Sequence, residues 1–498
     1  MTVVNRTLYP VQNSVRLIGK LQDRFQNLQA QLASGKNASN LAEMGTSRFF
    51  DLSIRSRVSR IDGYQSSYDM VNLRTGMASQ LVSNLDKLES SSRSLMVPSN
   101  YGSANVNFGT VPTLARTNLD QALDLMNTDI EGRYLFSGAK TDVRPVEAGS
   151  TILDGAGGKA GFKQVAAERQ AADVGNGLGR LTVTTTTDTV ALAEDGAHPF
   201  GFKLSTVTSS SASVALTQPT GAPPALGVKF NALPIDGDTI TIGLTLPDGT
   251  SDQVKLKAVT GTPKAGEFQI GVDANATAAN FNTALTASLT SLGSTTLVGA
   301  SNNAAAENFF NGQGQPVLRV QGPSFATATT LVTANPTTTV MWYSGGDSTD
   351  PRNSVRAKVD DATTVGYGIQ ANENGTVNLV RALATMAIQT FTTADPTSNG
   401  RFDAIANRNQ ERLSETHNGE QGSIEMVGVE LGSTAAAMKD IADKHTNYKA
   451  QLNGMLTRIE GIDDNEVTLE MLAIQTRLQA SYQTTSIVSQ MSLVNFLK

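Results

Sequence analysis

Residues 424–462 read IEMVGVELGSTAAAMKDIADKHTNYKAQLNGMLTRIEGI, and the spacing within this stretch decides the fold. From Ile424, the positions Val427, Leu431, Thr434, Met438, Ile441, His445, Tyr448, Leu452, Met455, Ile459 and Ile462 follow at alternating intervals of three and four. A mean period of 3.5 keeps an apolar seam on one side of a left-handed coiled coil, whereas the stripe of a lone α-helix drifts at 3.6 residues per turn. A helix with this pattern requires a partner helix. His445 falls on the seam, where a polar side chain specifies register more readily than it performs acid–base chemistry.

Working outward, the N-terminal part offers the partner. Ile54, Val58, Ile61, Tyr64, Tyr68 and Val71 keep three-four spacing, and Met77, Leu81, Leu85, Leu88 and Leu95 extend the stripe as far as Pro98. This predicts one helix of about 40 residues, weakened at Gly63 and Gly76. Ahead of it, Leu21, Phe25, Leu28 and Leu32 mark a helix that stops at Ser34-Gly35, where glycine suits a C-terminal cap. A third stripe, Leu119, Leu123, Met126 and Ile130, is closed by Gly132. Beyond the break at Gly461 to Asp464, a last helix carries Leu469, Leu472, Leu478 and Tyr482 toward the apolar end Leu493, Val494, Phe496 and Leu497. Water-exposed apolar area costs about 25 cal/mol per Å², so this end is expected to be an interface with another subunit.

The centre is a different polypeptide. Charged residues number 15 between Gly201 and Asp350, a tenth of that segment, against about a fifth of the remainder. Twelve of the 16 prolines lie from Pro145 to Pro351, and no methionine lies between Met126 and Met341. Proline breaks helices and methionine favours them, so the helices belong at the ends. In Thr239 to Leu246 apolar residues alternate with small ones; Pro247-Asp248-Gly249-Thr250 is a turn, and Val254 to Ala258 alternates again, which predicts a β-hairpin. Leu181 to Thr187 reads as a further strand, and Ala274 to Leu292 as a helix among the strands.

The expected fold class is therefore α+β and multi-domain. Long N- and C-terminal helices form an antiparallel coiled-coil bundle with an inserted β-rich outer domain, divided at 1–145, 146–350 and 351–498. The packing positions expected to carry it are Leu21, Phe25, Leu28, Leu32, Val427, Leu431, Met438, Ile441, Tyr448, Leu452, Met455 and Ile459.

Composition excludes most chemistry. The 498 residues contain no cysteine and three histidines, which removes thiolate ligands and nucleophiles and leaves little for an imidazole metal site. Neither a nucleophile elbow, a zinc-protease pair, a calcium loop nor a phosphate loop is present; Gly155-Ala156-Gly157-Gly158-Lys159 lacks the spacing of a phosphate loop and reads as a turn. The pairs Asp360-Asp361 and Asp463-Asp464 lack further acidic ligands at calcium-loop intervals and read as turns or helix starts. Arg55, Arg57 and Arg60 read as a solvated face or as partners in intersubunit ion pairs rather than an anion site. A net charge of −6 argues against nucleic-acid binding. The N-terminal MTVVNRTLYPVQ has neither a basic region nor an apolar core of the Sec type, and no run of 18 apolar residues occurs, so neither a Sec signal peptide nor a membrane span is expected. No enzyme activity, cofactor or metal is expected.

Several local motifs carry a resemblance. Leu32-Ala33-Ser34-Gly35-Lys36, Gly132-Arg133-Tyr134-Leu135-Phe136-Ser137-Gly138, Leu478-Gln479-Ala480-Ser481-Tyr482 and Met491-Ser492-Leu493-Val494-Asn495-Phe496-Leu497 resemble, in order and placement, the flagellin superfamily of bacterial flagellar axial proteins. The second motif and the last two look more like its hook-to-filament junction branch than like filament flagellin. Trp342 to Asp347 and Ala371 to Glu373 are similar to segments of both branches. The resemblance covers roughly residues 1–145 and 340–498. It implies a structural subunit supporting motility, export through the flagellar type III channel, and an extracellular location in the flagellum. It further implies self-association, contacts with hook-associated proteins and flagellin, and an export chaperone. Filament flagellin is the alternative within the family, and a surface adhesin or glycan-binding protein the alternative outside it.

Overall fold

The structure is a computed structural model that describes residues 8–98, 109–312 and 315–496. Among the described residues the helices are α1 (Leu8–Ser34), α2 (Arg48–Leu95), α3 (Val111–Met126), α4 (Gly149–Asp154), α5 (Phe162–Val174), α6 (Ala274–Ser294), α7 (Thr296–Phe309), α8 (Asn374–Ala387), α9 (Ser398–Arg412), α10 (Ile424–Glu460) and α11 (Asp464–Phe496). The strands are β1 (Asp129–Ile130), β2 (Arg133–Tyr134), β3 (Leu181–Thr186), β4 (Thr189–Glu194), β5 (Lys203–Ser209), β6 (Val214–Thr220), β7 (Ala225–Phe230), β8 (Thr239–Thr245), β9 (Ser251–Val259), β10 (Glu267–Gln269), β11 (Leu318–Val320), β12 (Leu331–Thr333), β13 (Arg356–Lys358) and β14 (Thr364–Gly366). Contacts divide the chain into two units, one of Met1–Met70, Lys358–Thr364 and Ala437–Lys498, the other of Val71–Ala357 and Val365–Ala436.

The first unit is helical. α1 stops at Ser34 because Gly35 adopts φ +69°, a left-handed conformation in which a Cβ would be strained. Its Ile18, Leu21, Phe25 and Leu28 pack on Ile462, Val467, Met471, Ile474 and Leu478 of the chain's other end. Gln22 meets Tyr482, Arg24 meets Glu470, and Lys36 bridges to Gly461, so α1 and α11 run antiparallel. A second antiparallel pair joins the first part of α2 to the last part of α10 through Ile54, Val58 and Ile61 against Leu452, Leu456 and Ile459. Its direction follows from Arg55 on Glu460, Asp62 on Lys449 and Gln65 on Thr446. α11 starts at the Asp463-Asp464 pair, where the Asp463 carboxylate accepts hydrogen bonds from the Asn465 and Glu466 amides at 2.9 and 3.3 Å, an N-cap.

The second unit holds the β structure and most of the buried core. Residues Ala78 to Leu88 of α2 and Val427 and Leu431 of α10 join α3, α5 and α8 around Trp342, Phe162 and Phe310. Two four-stranded sheets, ordered β3-β4-β7-β6 and β10-β9-β8-β5, bury alternate residues with one face of α6. The predicted hairpin is β8 and β9, antiparallel with Ile242 opposite Val254. Its turn is closed by the Leu246 amide on the Thr250 carbonyl at 2.8 Å, with Gly249 at φ +79°. α6 occupies the segment expected for it and is capped by Asp273, whose carboxylate accepts from the Ala276 amide at 2.8 Å. The Gly155 to Lys159 stretch forms a tight turn, with Ala156 bridged to Lys159.

Two local expectations fail. The third helix ends at Met126, and Ile130 lies instead in the short strand β1, because Glu131 and Gly132 take positive φ and turn the chain back on itself. The centre also holds α5 and α7. Nearly all of α7 is buried, and its run of Gly, Ala, Ser and Asn presents no amphipathic stripe by which sequence would mark a helix.

Leu28 is 1% exposed at the middle of the α1–α11 cluster. Leu28→Ala is expected to lower the stability of this helix pair by about 2 kcal/mol or more. In limited proteolysis it should expose α1 and α11 to early cleavage while the sheets of the second unit stay resistant; an unchanged cleavage order would contradict the packing described.

Candidate functional site

The side chains singled out from sequence fall into three sets. Leu28, Val427, Leu431, Met438 and Leu452 are buried; Leu21, Phe25, Ile441 and Ile459 are half-buried; Leu32, Tyr448 and Met455 are exposed. Leu493, Val494 and Phe496 belong to the last turns of α11, but their side chains, and Leu497 entirely, lie outside the described residues. The exposed set has company. Val15 and Leu17 on α1, Phe49, Phe50 and Leu52 at the start of α2, and Leu469, Leu472, Tyr482, Ile487 and Val488 on α11 all present apolar surface to solvent. Scattered apolar residues are ordinary on a protein surface; these ten fall on three helices.

Polar groups fix the joint where α10 gives way to α11. Asp51 is fully buried beside Arg55, whose Nε donates to its two oxygens at 3.0 and 3.2 Å, while the same guanidinium binds Glu460. Lys36 adds a second cation 3.4 Å from Glu460. Burial raises the Asp51 carboxyl above its ordinary range, and a hydrogen bond shared with Glu460 raises it further. Burial opposes ionisation of Glu460 as well, but hydrogen bonds to Asp51 and Arg55 outweigh it and hold Glu460 low. The two carboxyls thus divide the work, one tending to keep a proton and the other a charge. Asn37 closes the joint: its backbone and side-chain amides donate to the Glu460 and Ile459 carbonyls, both at 2.7 Å. Arg55 therefore serves an ion pair within its own chain.

Arg57 and Arg60 edge a cleft of about 580 Å³ between α2, α10 and the turn 358–364. Tyr64 donates to Asp361 at 2.8 Å, Arg60 lies 3.3 Å from the same carboxylate, and both hold Asp361 below the usual carboxylate range. His445 donates from Nε2 to the Val359 carbonyl at 2.9 Å and stacks on Tyr64 with centroids 5.6 Å apart, so it fixes the turn on the helices. Arg57 donates to the Tyr448 hydroxyl at 3.0 Å.

No family model matches the chain, and no curated protein matches it. A solved structure does. Flagellar hook associated protein-3 from Legionella pneumophila is 12% identical to this chain, with a TM-score of 0.28, over 82% of this chain and 98% of its own.

In the second unit, three constellations are structural. Arg180 ties Asp195, His198 and the carbonyls of Ala326 and Ala328 together, and His198, which stands alone in the sequence, is buried against Asp195 at 2.6 Å. Arg408 grips Asp248 in the hairpin turn at 2.5 Å. Arg169 pairs with the buried Asp173 at 2.8 Å. Among the described residues no group of His, Asp and Glu is arranged to hold a metal ion, and no helix is long and apolar enough to cross a membrane.

A cleft of about 420 Å³ in the same unit gathers Asp86, Glu89, Glu415 and Glu425 around Lys87 and Arg93. Burial, followed by the charges of Glu425 and Asp86, pushes the Glu89 carboxyl up to about 7, against the pull of Arg93. Sequence gave no sign of this cluster, because its members come from α2 and from segments more than 300 residues later. Since the folded state holds this proton more tightly than the unfolded state, Glu89 contributes a penalty that is absent below about pH 4.5, grows as pH rises, and is complete above pH 7. Glu89→Gln is expected to raise the melting temperature at pH 8.5 and to leave it unchanged near pH 4. Thermal unfolding monitored by circular dichroism at the two pH values checks this; an equal shift at both would contradict it.

Proposed function

We propose that the chain is a structural subunit of the bacterial flagellar axial assembly, and within it the hook-to-filament junction protein. The observation that carries the reading is the pairing of the chain's two ends. α1 and α11 lie antiparallel and bury one apolar face against each other while Val15, Leu17, Leu469, Leu472 and Ile487 face outward. Helices that keep a second apolar face in water are built to be covered, and subunit–subunit contact is the cover the sequence motifs favour. Heterologous contacts repeat into an open helical array, or into a short layer where neighbouring proteins limit it. Export through the flagellar channel, an extracellular position, contacts with flagellin and other hook-associated proteins, and an export chaperone belong to the same reading. Its support is the four motifs at the chain ends. The Gly132 to Gly138 stretch and the terminal Met491 to Leu497 favour the junction over the filament.

The work of such a subunit is mechanical, so its test is location. Immunogold electron microscopy with antibodies to the full chain is expected to label the distal end of the hook. Labelling along the whole filament would replace the junction role with that of a filament flagellin, and labelling elsewhere on the cell surface would reject the flagellar reading.

A further inference from the structure

The start of α2 carries an unusual feature. Phe49 and Phe50 are 75% and 62% exposed, with rings edge-on at 5.9 Å, and Leu52 on the next turn of α2 is exposed too. Arg48, which precedes them, is exposed and has no carboxylate partner among the described residues. This is a benzyl knob with a cation at its base.

The cleft on the same unit has the complementary form. Its wall is Ile61, Tyr64, Ile441, His445 and Tyr448, its charged lining is Arg57, Arg60 and Lys444 with the carboxylates of Asp360 and Asp361, and its 580 Å³ lies within the ~300–1,000 Å³ of pockets that enclose drug-sized groups. Tyrosine and histidine rings receive a phenyl group edge to face, and Arg57 and Arg60 supply cations for its π face. Among the described residues the Asp360 carboxylate on the rim accepts from the neighbouring Asp361 amide and forms no ion pair, which leaves its charge for an incoming Arg48.

We propose that the Phe49-Phe50 knob of one copy of this chain docks in the Tyr64-His445-Tyr448 cleft of a second copy, with Arg48 paired to the second copy's Asp360. The proposal rests on the reading of the chain as an assembly subunit, and names the contact. Knob and cleft are two separate patches, since Phe50, Arg57 and Tyr64 follow one another at seven-residue steps along α2, about 10.5 Å apiece. A copy that fills its neighbour's cleft leaves its own cleft open to the next. Taken up in one direction the contact is heterologous and propagates, whereas a reciprocal exchange of knobs closes a two-fold dimer.

The test uses the full chain with p-benzoylphenylalanine at position 49, mixed as ¹⁵N-labelled and unlabelled copies, irradiated, digested and read by mass spectrometry. Mixed-isotope cross-links from position 49 to residues 57–64 or 441–448 are expected. Asp360→Arg should lower their yield by about tenfold or more, and combining it with Arg48→Asp should restore it. Because Arg48 is exposed and Asp360 half-exposed on the rim, circular dichroism should show all variants folded. Cross-links from position 49 confined to the same copy, or to another surface of the second copy, would overturn the contact. A second photo-cross-linker at Leu472 separates the two levels: mixed-isotope products there alone keep the assembly reading and reject this contact, and their absence at both positions rejects both.

Discussion

The helices α1 and α11 are held side by side, and the helical unit is built on that constraint. The visible polar link, Arg24 on Glu470, is half exposed on both sides, and such a pair contributes at most about 1 kcal/mol. The hold is apolar: Leu28, Val467, Ile474 and Leu478 are buried with Phe25 and Met471 around them. Once residues near 20 and 470 are joined, everything between is a loop, and loop-closure entropy grows only with the logarithm of length. An insertion of several hundred residues costs little more to close than a short one. That explains how a helical framework tolerates a middle segment with its own composition and its own core.

The same constraint gives the charge pattern a meaning. The ends, with about a fifth of their residues charged, carry Lys36, Asp51, Arg55 and Glu460 at the joint of α10 and α11 and Arg24 on Glu470 between α1 and α11, where ion pairs set angle and register. The lightly charged centre registers its sheets through alternation and backbone hydrogen bonds, and its fewer ion pairs, such as Arg180 on Asp195 and Arg408 on Asp248, tie turns and loops to the core. Carboxyls taken out of water, such as Asp51, Asp173 and Glu89, are tolerated because neighbouring guanidiniums or a retained proton relieve their desolvation.

Much of this was legible in the residues themselves. The interval pattern from Ile424 marked a helix that runs to Glu460, Gly35 marked the end of α1, and the alternation around Asp248-Gly249 marked the β8–β9 hairpin. What escaped was fixed by tertiary surroundings. α7 is buried nearly all round and so lacks a stripe; Ile130 lies in β1, which ends where the backbone turns at Glu131 and Gly132 and so overrides its helical spacing. Within the seam of α10, Leu452 is buried while Tyr448 and Met455 are exposed. Sequence spacing identifies a face but not which of its residues a neighbour covers. The acidic cleft at Glu89 and the cleft at His445 join remote segments, which sequence spacing does not bring together.

The most direct measurement is a distance. The chain has no cysteine, so Arg24→Cys and Glu470→Cys introduce two unique spin-label sites for double electron–electron resonance. If the ends pair as described, the full-length protein gives one narrow, short distance distribution. A broad distribution extending to long distances would contradict the pairing, and with it the framework on which the assembly surface stands.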